Sequence, residues 1–411
     1  MSERIILHCD LNNFFASVEC FLNPELEGKN VAVCGSQEER HGIVLAKNEG
    51  AKKAGVRTGE AIWEAKLKCP DLVTVPPHYD QYVIFSKRVK EIYEEYTDMV
   101  EPFGIDECWL DITGSRQLFG DEMKIAEELR HRIKNEVGLT ISVGVSFNKI
   151  FAKLASDMKK PDAVTQLTPD DVKTKIWPLP CNELFGVGRT TAREFRKIGI
   201  NTIGDLARLP VETAKKLFGK SGVTLSNYAK GLDFSPVLRE CEAPPVKSVS
   251  RGITCKRDLY SSDEVSPIVI SLSEKVAHNL RKHNFFATTV RVALKDNHLA
   301  IHEFQQKTRT PVRASDVLAE IAMNLVKKNY HFSLPVRAVT VFAGNLVSDR
   351  FSYQMSLDED YTYLEKIEKL DTEVDLLRER FGDKIIVRAS SMPLTESERI
   401  RSAFPSFHPD V

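Results

Sequence analysis

Three carboxylates stand in apolar surroundings where a carboxylate needs a partner. Asp10 ends an apolar run near the start of the chain, and Asp106 and Glu107 interrupt the apolar stretch 100–113. Side chains alternate along a strand, so Asp106 and Glu107 can converge only if the hairpin turns between them, which Gly104 permits. Converging carboxylates repel unless cations neutralise them, and oxygen ligands suit Mg²⁺. This pattern favours two-metal phosphoryl transfer, with an acidic hairpin tip and a helix-capping Asp10 as the alternative.

The residues around these carboxylates predict a small α/β unit. Apolar runs and helical periodicity indicate strands at 5–9, 31–34 and 139–145, a hairpin at 100–113, and helices at 14–22, 80–99, 123–137 and 148–158. Asn12 or Asn13 is expected to cap the first helix. The carboxylates would then lie on strands of one sheet.

Beyond this unit the pattern changes twice. Residues 168–233 read as short helices with Gly-rich turns, and residues 234–245 as a Pro-containing extended linker. A sheet domain of ββαβ type follows, with strands at 248–259, 285–294, 298–305 and 336–343 and helices at 263–283 and 313–329. A last helix is predicted near 363–381 and a strand-like stretch at 384–388.

Charge is distributed unevenly along a chain of 411 residues whose formal net charge is −1. Residues 246–350 carry 16 Lys and Arg against 9 Asp and Glu, or +7, and residues 168–233 carry 11 against 7, or +4. Residues 351–380 carry 4 against 9, or −5. The two basic regions favour a polyanionic partner, although solvated faces of ordinary domains would also account for either one alone.

The same sequence argues against export and membrane insertion. The N-terminus has neither the apolar region nor the cleavage site of a secretory signal, and no apolar run approaches the roughly 20 residues of a membrane span. The 8 cysteines show no CxxC pair and no zinc-ligand spacing. We therefore expect a soluble, cytoplasmic protein with reduced thiols and no membrane partner.

Three ordered motifs resemble those of the Y-family DNA polymerases, and most closely the bacterial DNA polymerase IV branch. They are DLNNFFASVE from Asp10, IDECWLD from Ile105, and SVGVSFNK from Ser142, which continues to KKP at Lys159. The resemblance extends to about residue 350. It implies a DNA-directed DNA polymerase with low fidelity, lesion bypass and no proofreading. The partners that it implies are primer-template DNA and an incoming dNTP, and the enzyme would be a monomer.

The fold that this resemblance implies is an α+β multidomain right hand. Its parts would be a ferredoxin-like palm, small fingers, a helical helix-hairpin-helix thumb and the ββαβ-type little finger. The implied bounds are 1–10 and 78–167 for the palm, 11–77 for the fingers, 168–233 for the thumb, 234–245 for the linker, 246–350 for the little finger, and 351–411 for an acidic helical segment with a disordered tail.

The resemblance also implies roles for individual residues. Asp10 and Asp106 would bridge two Mg²⁺ ions, Glu107 would complete the catalytic metal site, and the Leu11 carbonyl would bind the second ion. Phe15 would be the steric gate that excludes a ribose 2′-hydroxyl. The triphosphate would contact Phe14, Lys52 and Lys160, while Lys149 and Lys153 equally fit a solvated helix face.

Two departures from the family pattern stand near the expected nucleotide site. Gly104 replaces the Ser that often precedes Ile-Asp-Glu, which alters the turn and removes no ligand. Glu49 and Lys52 stand where the family commonly has Tyr and Arg. The Lys52 ammonium offers a phosphate one positive charge, without the two parallel hydrogen bonds of an Arg guanidinium. The Glu49 side chain would repel a bound phosphate and must point away from it.

DNA contacts are expected in two regions. The glycines of LFGVG, Gly186 and Gly188, together with Arg189, resemble a helix-hairpin-helix that binds a DNA phosphate through backbone N–H groups. In the little finger, a strand of alternating hydroxyl and cationic residues suits a phosphate backbone, with a charge-protected edge strand as the alternative. The residues expected to bind DNA there are Lys247, Ser248, Ser250, Arg251 and Lys256.

A partial match to a sliding-clamp peptide occurs at Gln354-Met355-Ser356-Leu357-Asp358, with Gln354 and Leu357 as the anchor types. The final aromatic of such peptides is replaced by Asp358, and a plain linker is the alternative.

Two other functions compete with a polymerase. A nucleotide cyclase would not need the basic thumb and little finger, and a catalytically dead DNA-binding scaffold would have no reason to keep Asp10, Asp106 and Glu107 together.

Overall fold

The structure, a computed structural model, describes residues 4–36, 40, 42–242, 244–349, 361–382 and 385–391. Internal contacts divide the chain into two compact units. The first contains residues 4–35 and 43–242 of the described chain, and the second contains the strands and helices that follow residue 243. No helix of the described residues is long and apolar enough to cross a membrane.

The first unit begins with a buried strand, β1 (Ile6–Leu11), and a helix, α1 (Phe14–Leu22). A small three-stranded sheet with strand order β3-β2-β4, the fingers sheet, comes next. Its elements are β2 (Val31–Cys34), β3 (Val44–Lys47), α2 (Glu49–Lys53), α3 (Ile62–Lys68) and β4 (Val73–Val75).

A five-stranded sheet, the palm sheet, has strand order β5-β6-β1-β7-β8. Its remaining elements are α4 (Tyr79–Glu94), β5 (Val100–Phe103), β6 (Glu107–Asp111), α5 (Arg116–Phe119), α6 (Glu122–Arg132), β7 (Ile141–Ser146), α7 (Lys149–Met158) and β8 (Val164–Gln166). The strand β1 lies in the centre, antiparallel to both β6 and β7. All six residues of β1 are buried, as the apolar run predicts.

Short helices form the next part of the unit, as the glycine-punctuated sequence predicts. These thumb helices are α8 (Arg189–Lys197), α9 (Ile203–Arg208) and α10 (Val211–Ala229), and α10 bends at Gly219, whose φ is 62°. Their core includes Phe195, Ile203 and Leu206, all fully buried. The region packs as one helical cluster.

The segment predicted as an extended linker is anchored rather than loose over residues 234–242. The Leu238 N–H donates to Glu101 at 2.7 Å, and Val237 is fully buried beside Trp109. Arg239 pairs with Asp98 at 2.8 Å. This stretch therefore belongs to the first unit.

The second unit is a four-stranded sheet, the little-finger sheet, with strand order β11-β10-β12-β9. Its elements are β9 (Ser248–Leu259), α11 (Ser262–Lys282), β10 (Phe285–Asp296), β11 (Ile301–Val312), α12 (Ser315–Asn329) and β12 (Val336–Ser348). The predicted ββαβ order covers β10 to β12, and β9 with α11 precedes it. Both helices pack on the same core as the sheet's apolar side chains.

The acidic segment forms a helix, α13 (Tyr361–Phe381), that packs against α11. Arg281 of α11 pairs with Asp371 at 3.0 Å and with Asp375 at 2.7 Å, and Ile367 is buried. The strand expected at 384–388 does not form over 385–388, which precede a 3-10 turn at Ala389–Ser391. Part of the negative charge of this segment is therefore neutralised by ion pairs within the second unit.

Candidate active site

Strand pairing brings the three predicted carboxylates together. Asp10 on β1 lies directly opposite Glu107, the first residue of β6. Asp106 immediately precedes Glu107, and its carbonyl accepts a hydrogen bond from the Leu11 N–H at 3.0 Å. The sheet register therefore places carboxylates 96 and 97 residues after Asp10 in sequence beside it.

The turn between β5 and β6 depends on Gly104. Its φ is +82°, in the left-handed region that glycine adopts most readily. The chain reverses here, which lets Asp106 stand in the turn and Glu107 on the strand. All three carboxylates are present beside this turn, and the effect of Gly104 in place of the family's Ser stays a prediction.

Asp10 is paired with a lysine from the end of the third motif. The Lys160 ammonium lies 2.5 Å from the Asp10 carboxylate and 2.7 Å from Asp157. Burial lowers the pKa of Lys160, but the charge of Asp10 outweighs it and the pKa is raised. Lys160 is therefore a cation at the position expected for a triphosphate contact.

Glu107 is held by two partners through one oxygen, Oε2. Lys153 from α7 contacts this oxygen, and His8 Nε2 lies 3.1 Å from it. Burial raises the pKa of Glu107, yet the His8 hydrogen bond and the Lys153 charge overcome it and lower the pKa to about 2. Lys153 is consequently part of the site and does not lie on a solvated face.

Asp106 is the carboxylate that lacks a strong cationic partner of this kind. Burial, followed by the charges of Asp10 and Glu107, raises its pKa to about 6. Burial also raises the pKa of Asp10, against the opposing charge of Lys160. The cluster is electrostatically short of positive charge, which is the condition that a bound cation relieves.

The donor chemistry of this cluster fits a divalent metal. Three carboxylates and nearby backbone carbonyls are hard oxygen ligands of the sort that bind Mg²⁺. Among the described residues, no group of three His, Cys, Asp or Glu side chains is already arranged around one ion position. Lys160 contacts Asp10 Oδ2 and Lys153 contacts Glu107 Oε2, so a metal ion competes with these lysines only where it uses the same carboxylate oxygen.

Phe15 is the second residue of α1 and follows Asp10 by five positions. Its ring stacks on Tyr82 with centroids 4.2 Å apart and 11° between the planes, and Tyr79 contacts it edge-on. The stack fixes the direction of a half-buried ring. Phe14 is buried in the palm core, so only its backbone can contact a nucleotide.

The two residues that depart from the fingers motif pair with each other. Glu49 lies 3.7 Å from the Lys52 ammonium and accepts from the Asn13 amide at 3.4 Å. Asn13 precedes α1 with a φ of 51° and makes no side-chain cap to that helix. Glu49 is thus directed to Asn13 and Lys52, and Lys52 carries a partly compensated charge.

In the thumb, the predicted glycine turn leads into a helix. Gly186 has a φ of +86°, and Gly188 is the N-cap of α8 with no side-chain cap. Both glycines and Arg189 are exposed, and a Cβ added at Gly188 would meet nothing within 4 Å. A phosphate can therefore approach the backbone there closely.

The little-finger sheet has one face packed on helices and one face outside that core. Val249, Ile253 and Cys255 of β9 face the core, which places Ser248 and Ser250 on the outer face. Lys247 and Lys256 are exposed. The face that alternation gives to the hydroxyl side chains is therefore the outer one.

Arg251 lies on the other side of β9 from the serines. It pairs in register with the core residue Val341, is half-buried, and has a pKa lowered by that burial. It therefore shares a face with the core residues. Its contribution to a DNA surface on the outer face is not supported by this placement.

Sequence reasoning missed several residues that the fold brings to these surfaces. His8 could have been found because it lies two residues before Asp10 on the same face of a strand. Arg291 and Lys307 join the outer face, where Arg291 pairs in register with Phe342 and lies over its ring at 4.0 Å. Gln354 and Leu357 lie outside the described residues, as do residues 392–411, which include the expected disordered tail.

Comparisons with known proteins agree with this arrangement of parts. The profile of the impB/mucB/samB family matches residues 9–157, its C-terminal domain matches 246–357, and its helix-hairpin-helix motif matches 169–200. The chain belongs to this family, the Y-family of DNA polymerases. The helical region that sequence reasoning assigned to a helix-hairpin-helix is thereby confirmed.

Curated relatives align with this polymerase over nearly its full length. It is 50% identical to DNA polymerase IV of Acetivibrio thermocellus over 381 residues, covering 92% of the chain and 95% of that protein. It is 36% identical to DNA polymerase IV 2 of Bacillus subtilis over 399 residues, covering 95% of each. The chain therefore belongs to the DNA polymerase IV branch, and its activity is DNA-directed DNA polymerisation of the translesion type.

Solved structures share the fold. A Y-family DNA polymerase chimera of Dbh and Dpo4 matches with a TM-score of 0.74 at 25% identity, over 84% of the chain and 99% of that protein. A Dbh ternary complex matches with a TM-score of 0.59 over the same shares. The right-hand fold of palm, fingers, thumb and little finger is confirmed, and family membership implies dependence on divalent metal ions.

Proposed function

We propose that Asp10, Asp106 and Glu107 bind two Mg²⁺ ions and that the Leu11 carbonyl serves as a further ligand. The pairing of Asp10 with Glu107 at the centre of the palm sheet, with Asp106 beside them, is the observation that carries this proposal. When bound, the two ions supply charge stabilisation for the attacking and leaving oxygens of nucleotide transfer. The chain's own task is to hold the carboxylates in place.

Lys160 is proposed to bind the triphosphate of the incoming dNTP. Its ammonium now pairs with Asp10, and a cation that takes over Asp10 frees it for a phosphate oxygen. The uncapped N-terminus of α1, at Phe14 and Phe15, adds backbone N–H groups of the kind that bind phosphate. Lys52 adds a weaker charge because Glu49 already compensates it.

Substrate discrimination is proposed to rest on Phe15. Tyr82 stacks on one face of its ring and Tyr79 meets it edge-on, so the ring has little freedom to move aside. A 2′-hydroxyl would collide with a ring held in this way. The site would therefore accept deoxynucleotides and reject ribonucleotides.

Primer-template DNA is proposed to bind at two sequence-independent surfaces. Gly186, Gly188 and Arg189 of the thumb would hold one phosphate, and the outer face of the little-finger sheet would follow the backbone. The contacts on the outer face are assigned to Ser248, Ser250 and Lys256, joined by Lys307. Lys247, exposed just before β9, would add a contact at the start of the strand. Phosphate contacts position the duplex without reading its sequence, as a lesion-tolerant enzyme requires.

The finer organisation of the enzyme is part of the same proposal. We assign residues 1–10 and 78–167 to the palm, 11–77 to the fingers, 168–233 to the thumb and 246–350 to the little finger. The enzyme would act as a monomer in the cytoplasm with low fidelity and without proofreading. A replication sliding clamp would bind at Gln354 and Leu357.

Primer extension tests the proposed metal site. Asp106→Ala and Glu107→Ala should each lower nucleotide addition at least about a thousandfold, because metal ligation contributes several kcal/mol and each 1.4 kcal/mol is tenfold. Fluorescence anisotropy should show primer-template affinity within a few fold of the parent.

Asp111→Asn, at the other end of β6, provides a matched control and should extend primers normally. Near-parental extension by either alanine variant would refute the site.

A further inference from the structure

His8 is a buried histidine that the proposed chemistry does not yet use. It lies on β1 two residues before Asp10, and no part of the residue is exposed. Its two ring nitrogens contact different elements: Nδ1 lies 2.8 Å from the Ser156 hydroxyl on α7, and Nε2 lies 3.1 Å from Glu107 Oε2. The Trp109 ring packs against it with centroids 5.4 Å apart. The imidazole is thus held between a hydroxyl and a carboxylate.

Hydrogen-bond chemistry determines which nitrogen donates to Glu107. An ionised carboxylate only accepts, so Nε2 must carry a hydrogen. In the neutral ring, Nδ1 then accepts from Ser156. In the doubly protonated ring, Nδ1 donates to Ser156, whose hydroxyl can donate to the Lys153 carbonyl 2.8 Å away. Nε2 donates to Glu107 in both protonation states.

We infer that His8, oriented by Ser156, is a positioning residue that holds the Glu107 carboxylate in its catalytic direction. The inference rests on the proposed role of Glu107 as a metal ligand. Both side-chain contacts of Glu107 among the described residues end on Oε2, which leaves Oε1 to face a metal ion. His8 acts through Glu107 and is not itself a ligand.

His8 and Lys153 make different contributions to this contact. Lys153 reaches Glu107 from α7 on a flexible four-carbon stem, and its ammonium also lies over the Phe103 ring at 5.2 Å. The His8 ring is rigid, buried, and restrained by Trp109 and Ser156. Lys153 therefore supplies charge, while His8 supplies direction. Partners that orient a metal-binding side chain typically change metal affinity or activity by about 10–100-fold when they are removed.

Two substitutions at His8 separate the hydrogen bond from the packing. His8→Phe keeps an aromatic ring and removes the donor, whereas His8→Gln returns an amide N–H near the Nε2 position. We expect His8→Phe to lower kcat about 10–100-fold with the KM for dNTP within about threefold, and His8→Gln to recover most of kcat. Mn²⁺ binding, measured by electron paramagnetic resonance with primer-template and a non-hydrolysable dNTP, should weaken in parallel.

Ser156→Ala is the second variant, needed if His8→Phe lowers the melting temperature below the assay temperature. It should lower kcat and Mn²⁺ affinity less than His8→Phe. Its matched control is Ser146→Ala, which removes a buried palm hydroxyl bonded to the Leu167 carbonyl at 2.8 Å. The control should leave both quantities unchanged.

Parental kcat and Mn²⁺ affinity in His8→Phe would overturn the inference, as would a His8→Gln variant as impaired as His8→Phe. Equal behaviour of Ser156→Ala and Ser146→Ala would remove the orienting role of Ser156. Glu107→Ala, measured in the same series, distinguishes the two levels of proposal. If Glu107→Ala is inactive and the His8 variants are normal, only the positioning role fails, whereas an active Glu107→Ala contradicts the metal site itself.

Discussion

The palm site and the outer face of the little-finger sheet, both proposed to bind negatively charged groups, are built from different side chains. In the palm, buried carboxylates form ion pairs with Lys160 and Lys153. A phosphate would therefore meet lysines whose positive charge is already partly neutralised. On the little-finger sheet, exposed cations and hydroxyls such as Lys256 and Ser248 follow a single strand. The palm site requires fixed positions of a few side chains, whereas the little-finger surface requires only a row of polar side chains along a strand.

This difference explains which substitutions matter in each region. Removing a buried palm side chain also deprives its ion-pair and hydrogen-bond partners of a contact. The effects of such substitutions on activity and stability are therefore large and non-additive. An exposed cation contributes a nearly independent phosphate contact, so effects on the sheet are small and additive. The predictions below test this contrast.

After the metal-ligand variants, the largest effect is expected at the ring that stacks on Tyr82. Phe15→Ala should lower the preference for dATP over ATP about 10–100-fold, because the steric overlap it removes costs about 1–3 kcal/mol. Single-nucleotide incorporation with each substrate measures this ratio. Phe21→Ala, on the exposed side of the same helix, should leave the preference unchanged. Unchanged selectivity in Phe15→Ala would refute the gate.

Neighbouring carboxylates in the palm should affect stability with opposite signs. The pKa of Asp106 is raised to about 6, so its ionisation opposes folding above that pH, and Asp106→Asn should stabilise the metal-free protein at pH 7. The expected gain is on the order of 1–3 kcal/mol, since one pKa unit is worth about 1.4 kcal/mol. It should shrink as the pH falls from 6 towards 4, which melting curves across this range would show.

Glu107 provides the matched contrast. Its pKa is lowered to about 2, so its ionised form stabilises the fold above the ordinary glutamate range, and that contribution is lost as the pH falls towards 2. Glu107→Gln should therefore destabilise the metal-free protein at pH 7. Shifts of the same sign for Asp106→Asn and Glu107→Gln would contradict the assignment of distinct environments to the two carboxylates.

The sequence predicted the elements of both regions better than their contacts. Apolar runs and the Gly104 turn located β1, β5 and β6, because burial and backbone freedom are local properties. The contact of His8 with Glu107 joins residues 99 positions apart and depends on strand register, which no local pattern reveals. Ion pairs such as Lys153 with Glu107 were missed for the same reason, and the docking of α13 through Arg281 also needed the assembled fold.

Alternation along β9 shows a further limit. It separated the serines from Val249 and Ile253 correctly, yet it could not say which face is covered by helices. Arg251 therefore looked like a DNA contact in the sequence, and the structure places it beside core residues. Only the packing of α11 and α12 distinguishes the two faces.

On the little-finger sheet we expect modest changes in the salt dependence of DNA binding. Lys256→Ala and Lys307→Ala should each lower the slope of log K against log salt by about 0.9, because each loses one phosphate contact, and the double variant should lose about twice that. Affinity should fall a few fold for each change. Anisotropy titrations at several salt concentrations provide the slope.

Lys327→Ala, near the end of α12 in the helix layer, is the control of equal charge, and its slope should match the parent. If Lys327→Ala lowers the slope as much as Lys307→Ala does, the effect comes from net charge and the outer face is not the DNA surface. If the change in slope of the double variant differs from the sum of the two single changes, the expected difference between the sheet and the palm is also contradicted.

The last expectation concerns the partial clamp peptide, whose residues lie outside the described chain. A buried Leu is worth about 1.5–3 kcal/mol, so Gln354→Ala combined with Leu357→Ala should remove stimulation by a sliding clamp. Clamp-free extension should stay unchanged, because neither residue belongs to the palm site or the DNA surfaces. Processivity measured with and without the clamp tests both expectations.

Equal stimulation of the double variant and the parent would place the clamp contact elsewhere. The next segment to test is Gln117-Leu118-Phe119 in α5, where the Leu118 side chain is 82% exposed and a glutamine precedes it. An apolar residue so exposed on a four-residue helix adds little to the fold, so Leu118→Ala should leave the melting temperature unchanged. Loss of clamp stimulation in Leu118→Ala would move the contact to the palm.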